Sequence, residues 1–112
     1  RSPTATTTAI NYLRRSKQKK IEPLDFAAKV HDDTFDIYGN WILNTAQAYV
    51  ELEGLYECQA KRLSGFSALH SYLMRKLPVV VSVRGPLPGS SHPLTFGHLI
   101  CVTGYDAETK QV

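Results

Sequence analysis

His98 is the residue of this chain best placed to move a proton. It follows Gly97 directly and opens the apolar run Leu99-Ile100-Cys101-Val102, which closes on Gly104-Tyr105-Asp106. Such a run reads as a buried strand from His98 to Tyr105. An imidazole at its mouth can face a cleft while the strand anchors it. Its charge changes near neutral pH, which suits it to take a proton from a nucleophile and return it to a leaving group. A helix N-terminus is a favourable place for that nucleophile, because the dipole and free N–H groups stabilise an anion there. The chain begins with a helix start, Arg1-Ser2-Pro3-Thr4, but no nucleophile stands at it.

Other groups of reactive side chains carry less. Asp32, Asp33 and Asp36 cluster near His31, but their spacing matches neither a calcium loop nor a zinc pattern. They read as a solvated loop, and no metal or other cofactor is expected. His92 lies near Ser90, Ser91 and Thr95 without a Gly-x-Ser-x-Gly elbow, so a serine mechanism has no support. The glycine-, proline- and serine-rich residues 85–97 read as a flap bordering a cleft, able to contact an extended peptide. Cys58 and Cys101 both fall in expected strands and lack metal-ligand spacing. They read as buried free thiols, with a cross-strand disulfide left open if the protein is exported. Asp106 reads as a turn residue, favoured for bonding its own backbone.

A chain of 112 residues is one domain with a single core. It carries no apolar run near the roughly 20 residues that cross a bilayer, and no signal peptide. The chain starts and stops abruptly, so it reads as an excerpt of a longer protein, truncated at both ends. A net charge of +3 is too small to argue for nucleic acid. The basic residues Arg14, Arg15, Lys17, Lys19 and Lys20 gather at the expected end of the first helix, where cations complement the dipole. An anionic partner is the alternative for that cluster. No aromatic residues interleave with it to stack on bases.

The elements that must position His98 follow from caps and periodicity. Ser2 caps a first helix from Pro3 to about Arg15, with Ala5, Ala9, Tyr12 and Leu13 marking a buried stripe and Ile10 beside it. Thr6, Thr7 and Thr8 are unusual inside a helix, and tight packing against a sheet would account for them. Pro23 starts a short second helix that buries Leu24, Phe26, Ala27 and Val30, and residues 31–34 break the pattern. Asn40 caps a third helix from Trp41 to about Glu53, with Ile42, Ala46, Tyr49 and Val50 among its apolar positions; Gly54 ends it. Residues 55–63 read as a strand. A helix from Ser64 or Ser67 to about Lys76 follows, turning Leu69, Leu73 and Met74 inward. Then Val79-Val80-Val81-Ser82-Val83 reads as a buried strand, and residues 106–110 as a turn. Helices first and strands later, with one more helix between them, indicate an α+β domain.

Four blocks in order carry a resemblance. They are Ser2-Pro3-Thr4-Ala5; Asp36-Ile37-Tyr38-Gly39-Asn40-Trp41 with Asn44 and Ala46; Leu77-Pro78-Val79-Val80-Val81-Ser82-Val83-Arg84; and Gly97-His98-Leu99 with Val102 and Gly104-Tyr105-Asp106. Together they resemble the papain-like cysteine peptidases, and within them the bacterial double-glycine-leader peptidase-like family, family thirty-nine of that class. The resemblance implies a papain-like α+β fold, with N-terminal helices packed on a mainly antiparallel sheet. It implies peptide-bond hydrolysis through a Cys–His pair across a cleft between the two halves. His98 then matches the general base, and Arg1 occupies the nucleophile position, where an always-protonated guanidinium is not competent. Ser2, Asn40, Trp41, Asn44 and Gly97 would shape the cleft. The residue orienting His98 is expected after Val112, and the oxyanion-hole glutamine before Arg1.

The reading that follows is a cysteine-peptidase-like domain, inactive as it stands; the competing explanation is a working enzyme in which Arg1 is a boundary, altered or misread position. The alternative is a non-catalytic peptide-binding or interaction module using the same cleft. A peptide or protein is the expected partner in both, without nucleic acid or membrane insertion. Relatives with this block pattern are associated with the bacterial cell envelope, so an extracytoplasmic location is the expectation.

Overall fold

Helix α1, Ser2–Leu13, is the element around which the rest is arranged. The computed structural model describes residues 2–14, 18–34, 37–38, 41–86, 88, 91 and 94–112. α1 touches α2 (Pro23–Lys29), α3 (Trp41–Glu51) and both strands of the hairpin formed by β3 (Val79–Gly85) and β4 (Leu94–Val102). Its neighbours on several sides explain its composition. Thr6 and Thr7 are buried, and their hydroxyls are satisfied: Thr7 Oγ1 donates to Pro3 O (2.6 Å) and Thr6 Oγ1 to Asn44 Oδ1 (3.1 Å). Small β-branched side chains let neighbours approach closely, while back-bonding to the preceding turn removes the cost of a buried hydroxyl. The helix ends two residues earlier than its sequence suggests. The Arg14 amide still donates to Ile10 O (3.0 Å), while its guanidinium donates to the carbonyls of Lys19 and Glu51. Tyr12, expected in the buried stripe, is exposed, and the buried side runs through Ala5, Thr6, Thr7 and Ile10.

The helical core is Ile10, Phe26, Val30, Ala48 and Leu52, with Leu13, Ile21, Tyr56 and Cys58 packed against it. α2 starts on Pro23 at its first turn, as the sequence indicates. It is only seven residues long, so one face alone can reach α1. That face holds Phe26 and Val30, four apart, and Leu24 is 84% exposed rather than buried. Beyond it, β1 (His31–Asp32) and β2 (Ile37–Tyr38) form a two-residue antiparallel ladder where the sequence suggested only a break. Asp32 Oδ1 accepts from Thr34 N (2.9 Å), and Asp33 pairs with His31 Nδ1 (2.8 Å). The carboxylates there serve turn geometry. No metal-holding group of three appears among the described residues, and Asp36 lies outside them.

α3 departs most from its sequence pattern. It buries Asn44 and Ala48, continued by Leu52, at a spacing of four. Ile42, Tyr49 and Val50, expected inward, are exposed, and so is Ala46. The apolar arc of Ile42, Leu43, Tyr49 and Val50 is left exposed while the stripe through Asn44 and Ala48 is buried, so apolar periodicity names the wrong face. Gly54, with φ +72°, ends the segment as expected, and its amide donates to Tyr49 O (3.1 Å).

Residues 55–63 form no strand. Their alternating pattern is used instead to lay Tyr56 and Cys58 on the helical core, where no strand among the described residues pairs with them. α4 (Phe66–Met74) follows Gly65 and buries Leu73; Met74, expected inward, is exposed. β3 and β4 pair antiparallel with Val79 opposite Val102, Val81 opposite Ile100 and Val83 opposite His98. β4 therefore starts at Leu94, within the segment read as a flap, and His98 lies inside the strand rather than at its mouth. Asp106 makes the expected turn: its Oδ1 accepts from Glu108 N (3.0 Å), and its backbone bridges to Gln111. Among the described residues the arrangement is α+β: four helices with two two-stranded antiparallel sheets, β1–β2 and the hairpin β3–β4.

Candidate functional site

His98 is held by the hairpin ladder. Side chains alternate across a strand, so His98 shares a face with Ile100 and Val102 and with Val83, Val81 and Val79 opposite them. Val102 is buried, whereas Ser82 and Arg84, on the other face, are exposed. α1 touches both strands of the hairpin, and the face bearing His98 is the one that holds the buried Val102. The imidazole is half-buried there. Gly97 precedes it in β4.

The heads of α1 and α3 come to the same end of the molecule. Thr6 bonds Asn44 near the start of both helices, and Arg14 Nη2 donates to Glu51 O (2.9 Å) near the end of both. Contacts that advance together along two helices mean that their axes run the same way. Ser2 and Trp41, the first residues of α1 and α3, therefore lie at neighbouring ends. Trp41 is 62% exposed, while Asn44 is 4% exposed and faces α1. Arg1 and Asn40 lie outside the described residues.

Neither cysteine offers an activated nucleophile. Burial pushes both the Cys58 and Cys101 thiols up from their ordinary value, which disfavours the reactive thiolate. Both are free. Cys101 belongs to the face of β4 opposite His98, and Cys58 packs on the helical core outside any strand. Of the described depressions, one of about 300 Å³ is lined by Leu13, Gln18, Leu52, Leu55 and Tyr56. It sits at the carboxyl end of α1, the opposite end from Ser2.

A polar node that sequence reasoning missed fixes that far end. Glu51 Oε1 accepts from Lys29 Nζ (2.6 Å) and Gln47 Nε2 (3.0 Å), and Arg14 Nη2 reaches Oε2 at 3.4 Å. Burial pushes the carboxyl up, but hydrogen bonds from Lys29 and Gln47 and the charges of Lys29 and Arg14 outweigh it and hold Glu51 below its ordinary value. Only the Gln47–Glu51 spacing of four was visible in sequence. Lys29 and Arg14 come from other helices.

Neither a curated protein nor a solved structure matches the chain significantly. A family model described as "Peptidase_C39 like family" matches residues 2–112, beginning one residue after Arg1 and covering the helical head, the hairpin and the Asp106 turn. By that match the chain belongs to the Peptidase_C39 like family.

Proposed function

We propose that this is a cysteine-peptidase-like domain that performs no peptide hydrolysis itself, because Arg1 holds the position of the nucleophile, and that the groove beside His98 binds peptide segments. The observation that carries the reading is α1 packed on the hairpin that bears His98, within a family match over residues 2–112. In the family reaction a thiolate ahead of α1 attacks the scissile carbonyl. The histidine takes the thiol proton and passes it to the departing amine; water then cleaves the thioester. Arg1 has no lone pair to offer and stays protonated, so the first bond cannot form. Ser2, Asn40, Trp41 and Gly97 would border the groove, and the exposed Trp41 ring offers apolar surface to a bound chain.

The test compares the natural chain with Arg1→Cys. The natural chain should show no hydrolysis above background across a peptide library and slow labelling by iodoacetamide, since both of its thiols are partly buried. Arg1→Cys should label rapidly at position 1, with a midpoint at least about one pH unit below the ordinary thiol value near 8.5. Adding His98→Ala should raise that midpoint. Hydrolysis by the natural chain, or an ordinary midpoint in Arg1→Cys, would overturn the reading. Retention of peptide by the natural chain, weakened by Trp41→Ala, favours the binding module in the same groove.

A further inference from the structure

We infer that Asn44 is a positioning residue: through Thr6 it locks the first turns of α1 onto α3, and so sets where the residue ahead of α1 stands. This rests on the cysteine-peptidase-like reading of that position.

Contacts at both ends and in the middle hold the seam between the two helices. At the carboxyl end Arg14, just past α1, reaches Glu51, and in the middle Ile10 belongs to one core with Ala48 and Leu52. At the head, Thr6 Oγ1 donates to Asn44 Oδ1 between side chains that are both buried. A purely apolar seam can slide by small amounts at little cost. A buried hydrogen bond cannot, because leaving either partner unpaired costs the full desolvation of that group. The pair is therefore a register pin at the end where register matters. Thr6 lies one turn from Ser2, and Asn44 one turn from Trp41. Pinning them keeps the two amino termini, with their unpaired N–H groups and positive dipole ends, side by side. A thiol placed there feels two helix ends rather than one, provided that α1 does not fray or shift.

The readout is twofold. In the natural chain, amide hydrogen exchange of Thr6, Thr7, Thr8 and Ala9 should accelerate at least about tenfold in Asn44→Ala and Thr6→Val, with α4 amides unchanged. Thr6→Ser, which keeps the hydroxyl, should retain protection. In the Arg1→Cys background, the same two variants should slow iodoacetamide labelling at pH 7 by about tenfold, equivalent to one pH unit in the midpoint, and Thr6→Ser should not. Should Asn44→Ala fail to fold, Thr6→Val carries the test, since valine keeps the shape of threonine. Unchanged exchange in α1, acceleration spread equally over α4, or loss of protection in Thr6→Ser would each overturn the inference. If Arg1→Cys has an ordinary thiol with Asn44 intact, the peptidase-like reading has failed, and the exchange data alone decide the role of Asn44.

Discussion

The two sides of α1 are built differently. Toward α2 and α3 it meets a closed core, with Phe26 fully buried and Ile10 and Val30 nearly so. Charged partners close over the end of that side at Glu51. Toward the hairpin it meets β3 and β4, whose facing side chains are mostly half-buried, with Val102 buried. The closed side holds the helix in place. The open side is the hairpin that carries the half-buried His98. Rigid support on one flank and a partly accessible face on the other is the division of labour a positioned site requires.

Substitutions across α1 sharpen this contrast. The largest effect is expected from Phe26→Ala, which removes a fully buried ring from the helical core. A loss of about 4 kcal/mol of stability should follow in urea unfolding. A loss below about 1 kcal/mol would mean that the core is not where the molecule is tied together. Glu51→Gln comes next, at about 2 kcal/mol near neutral pH, because it weakens charge-assisted bonds from Lys29 and Arg14. The sign of its pH dependence is fixed. The native carboxyl lies below its unfolded value of about 4.3, so its contribution is present above that pH and is lost as pH falls through the native value. The natural chain should therefore lose stability more steeply than Glu51→Gln below about pH 4. Parallel curves would remove Glu51 from the account. The smallest effect is expected from His98→Ala on the open side, under about 1 kcal/mol, since the ring is half-buried. A cost as large as that of Phe26→Ala would make the imidazole a core residue and close the proposed groove.

Which parts could be read in advance follows the range of the forces involved. Pro23, Gly54, the valines of β3 and the Asp106 turn act within a few residues of themselves, and each placed its element to within a residue or two. The four sequence blocks were enough to identify the family. Residues 55–63 show where that fails. Their alternation is a strand pattern only if another strand lies alongside, and here the helical core lies there instead. The flap was overdrawn for a related reason: glycine and proline loosen a segment, but pairing with Gly85 carries β4 back to Leu94.

The sequence by itself determined helices α1 to α4, the two strands of the hairpin and the family. Tertiary structure decided which stripe of α3 is buried, that residues 55–63 form no strand, that His98 lies within β4 rather than at its mouth, and that Thr6 meets Asn44 across 38 residues of chain. Caps, turns and β-branched runs are settled by neighbours in sequence. A helix whose buried stripe is not its most apolar one, or a hydroxyl in need of a partner, is settled only by what folds against it.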